Sequence, residues 1–182
     1  MKKAMLVVVA CVLLSFIQID RSHAAAVDMF LFIEGVPGEV NHVQFANWIR
    51  VDSAAWSHGS GSSVGGGGTS ASKAVFEALT LVKSFDLSSP MLAVAVADGR
   101  HFKTAILVFQ KAGPQPGVFL KVILTDVIVK AYGATAGGGV PIEQVKLGFA
   151  RIEWNYSRQM PDGKMSQPPI RSGWDLINNR GF

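Results

Sequence analysis

From Val27 onward, short apolar runs alternate with clusters of Gly, Pro, Ser and Asp, a rhythm that predicts an all-β domain. The run MFLFIEG predicts a first strand, closed by the turn-forming GVPGE. WIRVDSAAWS (Trp48 to Ser57) predicts one strand with Ile49, Val51, Ser53 and Ala55 on a common face. The HGSGSSVGGGGTSAS that follows cannot fold by itself, and it reads as a mobile loop between neighbouring strands. In AVFEALTLVKSF, Phe76, Ala78 and Thr80 alternate with Glu77, Leu79 and Leu81, which again predicts a strand.

SSPMLAVAVADGR has helical punctuation. Ser88 or Ser89 can cap it, Pro90 has a φ preset for the first turn, and Gly99 can end it in a left-handed conformation. Its residues are apolar nearly all round, which predicts burial. KTAILVFQK, VFLKVILTDVIVKAY and EQVKLGFARIEWNYSR predict three further strands. The last alternates in two runs that slip at Ala150-Arg151, where a bulge is expected. ATAGGGVP reads as a second flexible loop, and no internal repeat is visible. The fold class that follows is mainly β: an antiparallel β-barrel or sandwich with one packed α-helix.

The residues before Val27 carry a different pattern. Lys2 and Lys3 precede the apolar AMLVVVACVLLSFI, then polar QIDRS, then Ala24-Ala25-Ala26. This predicts a cleavable secretory signal over residues 1–25, cut at Ala24, Ala25 or Ala26. The apolar run is too short for a comfortable bilayer anchor. VVAC before Cys11 approaches a bacterial lipobox, but apolar residues continue through Val12, Leu13, Leu14 and Phe16, so a cut at Cys11 would leave half of the apolar segment behind.

The signal segment also changes the charge picture. The chain has 182 residues, 17 Lys+Arg and 13 Asp+Glu, a net +4. Residues 1–25 hold Lys2, Lys3 and Arg21 against Asp20, so the remainder carries 14 basic and 12 acidic groups, a net +2. No Lys/Arg cluster remains to argue for nucleic acid. Cys11 is the single cysteine, which excludes disulfides, thiol catalysis and Cys-ligated metals from the domain after the signal.

The candidate chemistry is thin. Gly61-Ser62-Ser63-Val64-Gly65 fits G-x-S-x-G, but a nucleophile elbow needs a strand before and a helix after, and this match sits inside a Gly/Ser run. GGGGTSASK has its lysine misplaced for a phosphate loop. His42, His58 and His101 lack metal-ligand spacing, and helix termination accounts for Asp98-Gly99-Arg100-His101. Asn155-Tyr156-Ser157 is a glycosylation sequon by pattern only. Trp48, Trp56, Trp154 and Trp174 suggest a stacking surface or, by default, core packing. These residues give no support to an enzyme, a cofactor or a metal site.

AVDMFLFIEGVPGE resembles the N-terminal signature of the Hcp family, the tube proteins of bacterial type VI secretion systems, whose members typically begin with Met, AVDMFLKI and a G-x-x-GE turn. IRVDSAAWSHGSGS resembles the family's tryptophan-bearing strand and Gly/Ser loop, with Ala54-Ala55-Trp56 where W-S-W is frequent. KAVFEALTLVKSFDLSSPML, ADGRHFKTAILVFQKAG, FLKVILTDVIV and VKLGFARIEWNYSRQMPDGK resemble successive family segments, and GWDLINN resembles the tail of longer members.

The resemblance implies a β-barrel domain over 26–163 and a C-terminal tail over 164–182. It implies a homohexameric ring, stacking of rings into a tube, and secreted effectors and other type VI components as partners. It implies no catalytic residue, no cofactor, no nucleic acid, and no membrane after signal cleavage. Ser53, Ala55 and Ser57, in the segment resembling the tryptophan-bearing strand, are the expected lumen-facing residues. The signal peptide departs from the family, which assembles in the cytoplasm without one. Two expectations follow: a ring-forming secretion protein, or an exported periplasmic or surface β-barrel module that binds through residues 57–72 or 133–141. Cytoplasmic assembly holds if the signal is not used.

Overall fold

Β-structure dominates the computed structural model, which describes residues 27–65, 68–113 and 116–182. The signal segment 1–25, Cys11 and the cleavage residues Ala24, Ala25 and Ala26 lie outside the described residues. In chain order the elements are β1 (Val27–Ile33), β2 (Ile49–Val51), β3 (Ser53–Ala55), β4 (His58–Gly65), β5 (Gly68–Phe76), β6 (Leu79–Ser84), α1 (Ser89–Asp98), β7 (His101–Lys111), β8 (Gly117–Thr135), β9 (Ile142–Tyr156), β10 (Ile170–Asp175) and β11 (Arg180–Gly181).

The pairings close a barrel. β1 lies antiparallel between β2 and β7, β7 pairs with β8, and β8 pairs with β9. The first half of β9 pairs with β6, and β6 pairs with β3. Only Asp52 separates β2 from β3, so the circuit is complete, and the Asp52 N–H donates to Val82 O at 2.8 Å. The second half of β9 takes β10 as its neighbour, with β11 beyond. The segment expected as a tail, 164–182, therefore adds two strands to the sheet.

Asp52 corrects the reading of WIRVDSAAWS as one strand with one face. Ile49 and Val51 are buried, whereas Ser53 and Ala55 are exposed and Ala54 and Trp56 turn inward. Period-two alternation cannot pass a corner where the chain changes partner from β1 to β6.

The Gly/Ser stretch also departs from expectation. It forms the hairpin β4–β5, paired from His58↔Phe76 to Gly65↔Gly68, with an irregularity between Ser60 and Ser62. The backbone ladder needs no apolar side chains, so apolar patterning did not register it. The second flexible loop shrinks as well, because β8 runs on to Thr135.

The expected slip near Ala150 is present in the burial pattern, but not as a bulge in β9. Buried positions change parity from Val145 and Leu147 to Ile152, and in β8 from Val122 and Leu124 to Val127 and Val129. Pairing nevertheless holds its register on both sides of Ala150, from Thr125↔Arg151 to Val127↔Phe149. The distortion falls on the partner strand, where Asp126 has φ 52°, a conformation that Asp tolerates better than most residues. The register shift between these strands comes later, at Lys130.

Helix α1 begins with Pro90 in its first turn and ends at Gly99 (φ 64°), as its sequence indicates. Its burial is one-sided. Leu92 and Ala95 are fully buried in the barrel core, while Val94 is half exposed. The apolar outer face is thus a surface of this fold rather than part of its interior.

The main core fills the barrel with Leu31, Ile33, Ile49, Leu79, Leu81, Leu107, Leu124, Leu147 and Ile152. A second cluster forms where the 36–48 segment crosses β1 and β7, placing Phe45 with Phe30 and Val108. Within that segment Gly38 is indispensable. A Cβ there would overlap the Trp48 carbonyl, which is backbone and cannot rotate away.

Candidate functional site

The resemblance-derived residues fall on one edge. Ser53, Ala55 and Ser57 are all exposed, and β3 pairs through Ser53↔Val82 and Ala55↔Thr80 with β6. Ala55 and Ser57 meet Glu77, Thr80 and Lys146 around a pocket of about 300 Å³, which Ser53 does not line. Small side chains and one residue of each charge offer adaptable hydrogen bonding rather than a fixed constellation.

Hairpin β4–β5 leaves the barrel at an aromatic foot. The His58 ring stacks on Phe76 with centroids 4.8 Å apart, and Phe76 lies 6.4 Å from both Trp154 and Trp174. All four tryptophans are half buried against the core clusters, so packing is what they do here. Outside this foot, no strand of the nine-stranded sheet pairs with the hairpin among the described residues.

Near the start of α1, two loops bring apolar side chains to the surface together. The Phe85 N–H donates to Pro141 O at 2.8 Å, which sets exposed Phe85 and Leu87 near exposed Val140 and Ile142. Large apolar side chains exposed near one another are a mark of a surface that packs against something. No periodicity announced it, because it is assembled from two loops distant in sequence.

Beneath lies a fully buried ion pair. Lys83 Nζ donates to Glu143 Oε1, to Asp86 Oδ1 at 2.8 Å and to Ser84 O at 2.9 Å. The Ser89 hydroxyl donates to Glu143 Oε1 at 3.0 Å and accepts the Asp86 N–H at 2.9 Å. The Ser88 hydroxyl turns to Asp86 Oδ1, so neither serine caps the helix with its side chain as its position suggested; the carboxylates compete successfully for both. A sequence signal existed: Glu143 shares the inward parity of Val145 and Leu147, and a carboxylate there requires a buried partner.

Tyr132 completes the network by donating its hydroxyl to Glu143 Oε2 at 2.7 Å. Burial, then the Glu143 hydrogen bond and charge, push its pKa up to about 12. The folded value exceeds the ordinary 10, so this contribution to stability is fully present below pH 10 and is lost as pH rises towards 12. Alkaline absorbance titration is expected to show one of the two tyrosines ionising only near pH 12 in the folded protein. Ionisation of Tyr132 near pH 10 without unfolding would contradict the network.

The remaining motifs lie apart. Gly61–Gly65 belongs to strand β4, followed by another strand rather than by a helix. His42 stacks on Phe45, and His101 Nδ1 meets Asp126 Oδ1 at 2.7 Å on the surface. Asn155 of the sequon is buried, out of reach of a glycan. Among the described residues no group of three or more His, Cys, Asp and Glu is arranged to hold a metal.

Comparison with known proteins gives this surface its context. The family model described as type VI secretion system effector, Hcp, matches residues 30–156. The chain is 36% identical over 160 residues to protein Hcp1 of Pseudomonas aeruginosa, spanning 85% of this chain and 98% of that one. A solved structure of a type six secretion system protein matches with TM-score 0.80 at 28% identity, over 86% of this chain and all of that chain. Hcp1 from Salmonella typhimurium matches with TM-score 0.69 at 28% identity, over 86% of this chain and 99% of that chain. Barrel, helix, segment order and matched length agree, and the chain belongs to the Hcp family of the type VI secretion system.

Proposed function

We propose that the domain from Ala26 assembles into a hexameric ring, that rings stack into a tube, and that the tube carries effectors without itself catalysing a reaction. The observation that carries this reading is hairpin β4–β5, which pairs only with itself among the described residues. A lone two-stranded ribbon is marginally stable in water, and a neighbouring subunit supplies the packing it lacks. Such a contact joins different patches on successive copies, the geometry that closes rings. The apolar patch at Phe85, Leu87, Val140 and Ile142 offers a further surface for a copy or another type VI component. Ser53, Ala55 and Ser57 then line the lumen, where small side chains leave room for cargo.

Light scattering on the chain from Val27 is expected to give about six subunits, and deletion of residues 60–72 is expected to give monomers. An intact chain that stays monomeric at high concentration would overturn the ring and leave the exported binding module as the account.

Residues 1–25 act in this reading as an export signal. Mass spectrometry of protein from its native cell is expected to show an N-terminus at Ala25, Ala26 or Val27. An intact Met1 would instead place assembly in the cytoplasm.

A further inference from the structure

Lys121 and Arg171 stand directly across from Asn155 on its two flanking strands, β8 and β10. Directly opposed residues share a face, so the three form a row with steps of about 4.8 Å, and Ser157 follows Asn155 on that face two residues along. All four line a cavity of about 420 Å³. Among the described residues no carboxylate lines it, and neither Lys121 nor Arg171 takes part in an ion pair. Asn155 and Ser157 are buried, 9% and 6% exposed, and neither side chain has a hydrogen-bond partner among the described residues. Of their polar atoms only Asn155 Oδ1 is sealed from solvent, so Asn155 Nδ2 and the Ser157 hydroxyl stay open to the cavity. The cavity thus offers an ammonium, a guanidinium, an amide N–H and a hydroxyl, all without a partner.

Four donors around one cavity specify an oxyanion, and the two cations specify its charge. A carboxylate or a sulfate monoester carries one negative charge and leaves the second cation unbalanced. A phosphomonoester carries about −1.5 to −2 at pH 7 on three strong acceptor oxygens. Those oxygens suffice for both cations and for the two neutral donors beside them. Arg171 can meet two of the oxygens through its planar fork, while Lys121 acts as a point charge. Set over Asn155, the phosphoryl group lies one strand away from each cation, a span that long side chains bridge.

We propose that this cavity binds a small phosphomonoester. The phosphoryl group lies between Lys121 and Arg171, it accepts hydrogen bonds from Asn155 Nδ2 and the Ser157 hydroxyl, and the organic part of the ligand rests on Val118 and Met165, which also line the cavity. The volume falls in the range of about 300–1,000 Å³ usual for small-molecule sites, and apolar walls with a few placed polar groups are their ordinary make-up. The inference does not rest on ring assembly.

The test is calorimetry and ligand-observed saturation-transfer NMR with phenyl phosphate, phenyl sulfate, inorganic phosphate and a capped pentapeptide bearing one phosphoserine, on the protein in whatever assembly state it adopts. Phenyl phosphate is expected to bind at least about tenfold more tightly than phenyl sulfate, which has the same shape and half the charge. Lys121→Gln and Arg171→Gln, both at exposed side chains, and Ser157→Ala are each expected to weaken phenyl phosphate by about tenfold, the loss typical of a hydrogen bond to a charged group. Lys103→Gln removes an exposed cation outside the cavity and is expected to leave binding unchanged. Failure of phenyl phosphate to bind, equal binding of the sulfate, or an equal loss with Lys103→Gln overturns the proposal. Inorganic phosphate binding as tightly as phenyl phosphate would overturn the ester and leave a site for the free ion. Tighter binding of the phosphopeptide would overturn the small molecule and assign the cavity to a phosphorylated protein.

Discussion

Replacing Lys83 with alanine is expected to destabilise the fold by about 3–5 kcal/mol, because it strands the buried Glu143 carboxylate without its cation. The loss is large against the roughly 5–15 kcal/mol that holds a typical domain folded. It does not measure what the pair contributes, since most of it is the cost of an uncompensated buried charge. The variant Lys83→Met with Glu143→Leu separates the two quantities. Removing both charges and restoring apolar volume should recover much of the loss, although the Tyr132 and Ser89 hydroxyls then lose their acceptor. Urea melts at one fixed protein concentration check both, because assembly would otherwise shift the midpoints. A cost under about 1 kcal/mol for Lys83→Ala would mean that water or a rearranged loop takes over the role of the ammonium.

Leu147→Ala is expected to cost about 3 kcal/mol or more, within the range for a buried leucine truncated to alanine. Leu147 is fully buried at the middle of β9, with Leu79 across from it on β6 and Val129 on β8. Leu147 and both neighbours are held by ladder hydrogen bonds, so the barrel wall has little freedom to collapse into the space left. The cavity should therefore persist, which puts the cost above that of transfer from water alone. Denaturant unfolding reads the loss directly. A cost near 1 kcal/mol would show that the wall does relax at this point.

Much of the architecture was legible because it depends on local chemistry. The apolar runs placed β1, β7 and most of β8 and β9, and Pro90 with Gly99 bounded α1. What escaped depends on residues meeting from far apart. The corner at Asp52 follows from β2 and β3 having different partners, which no alternation within ten residues encodes. Hairpin β4–β5 is a backbone ladder in a stretch nearly empty of apolar signal. The outer face of α1 stays open because one side of a short helix suffices to reach β8 and the core. At the candidate surface, Ser53, Ala55 and Ser57 are exposed, yet their strand changes faces one residue earlier. The sequon at Asn155 fails because pattern alone does not reveal that its asparagine is buried.

Barrel closure also sets a timetable. β6 has β3 as its early neighbour, but its long pairing is with residues 142–147 of β9, and the Lys83–Glu143 contact spans 60 positions. Contacts of such separation slow folding, since a long loop must be ordered before they form. A nascent chain that has not yet released Ile142 carries β6 with one edge unpaired, and unpaired edges recruit strands from other molecules. β9 is thus a latch thrown late in synthesis. Until it closes, the polypeptide stays open to chaperones and to strand exchange, and only afterwards is the barrel a closed unit.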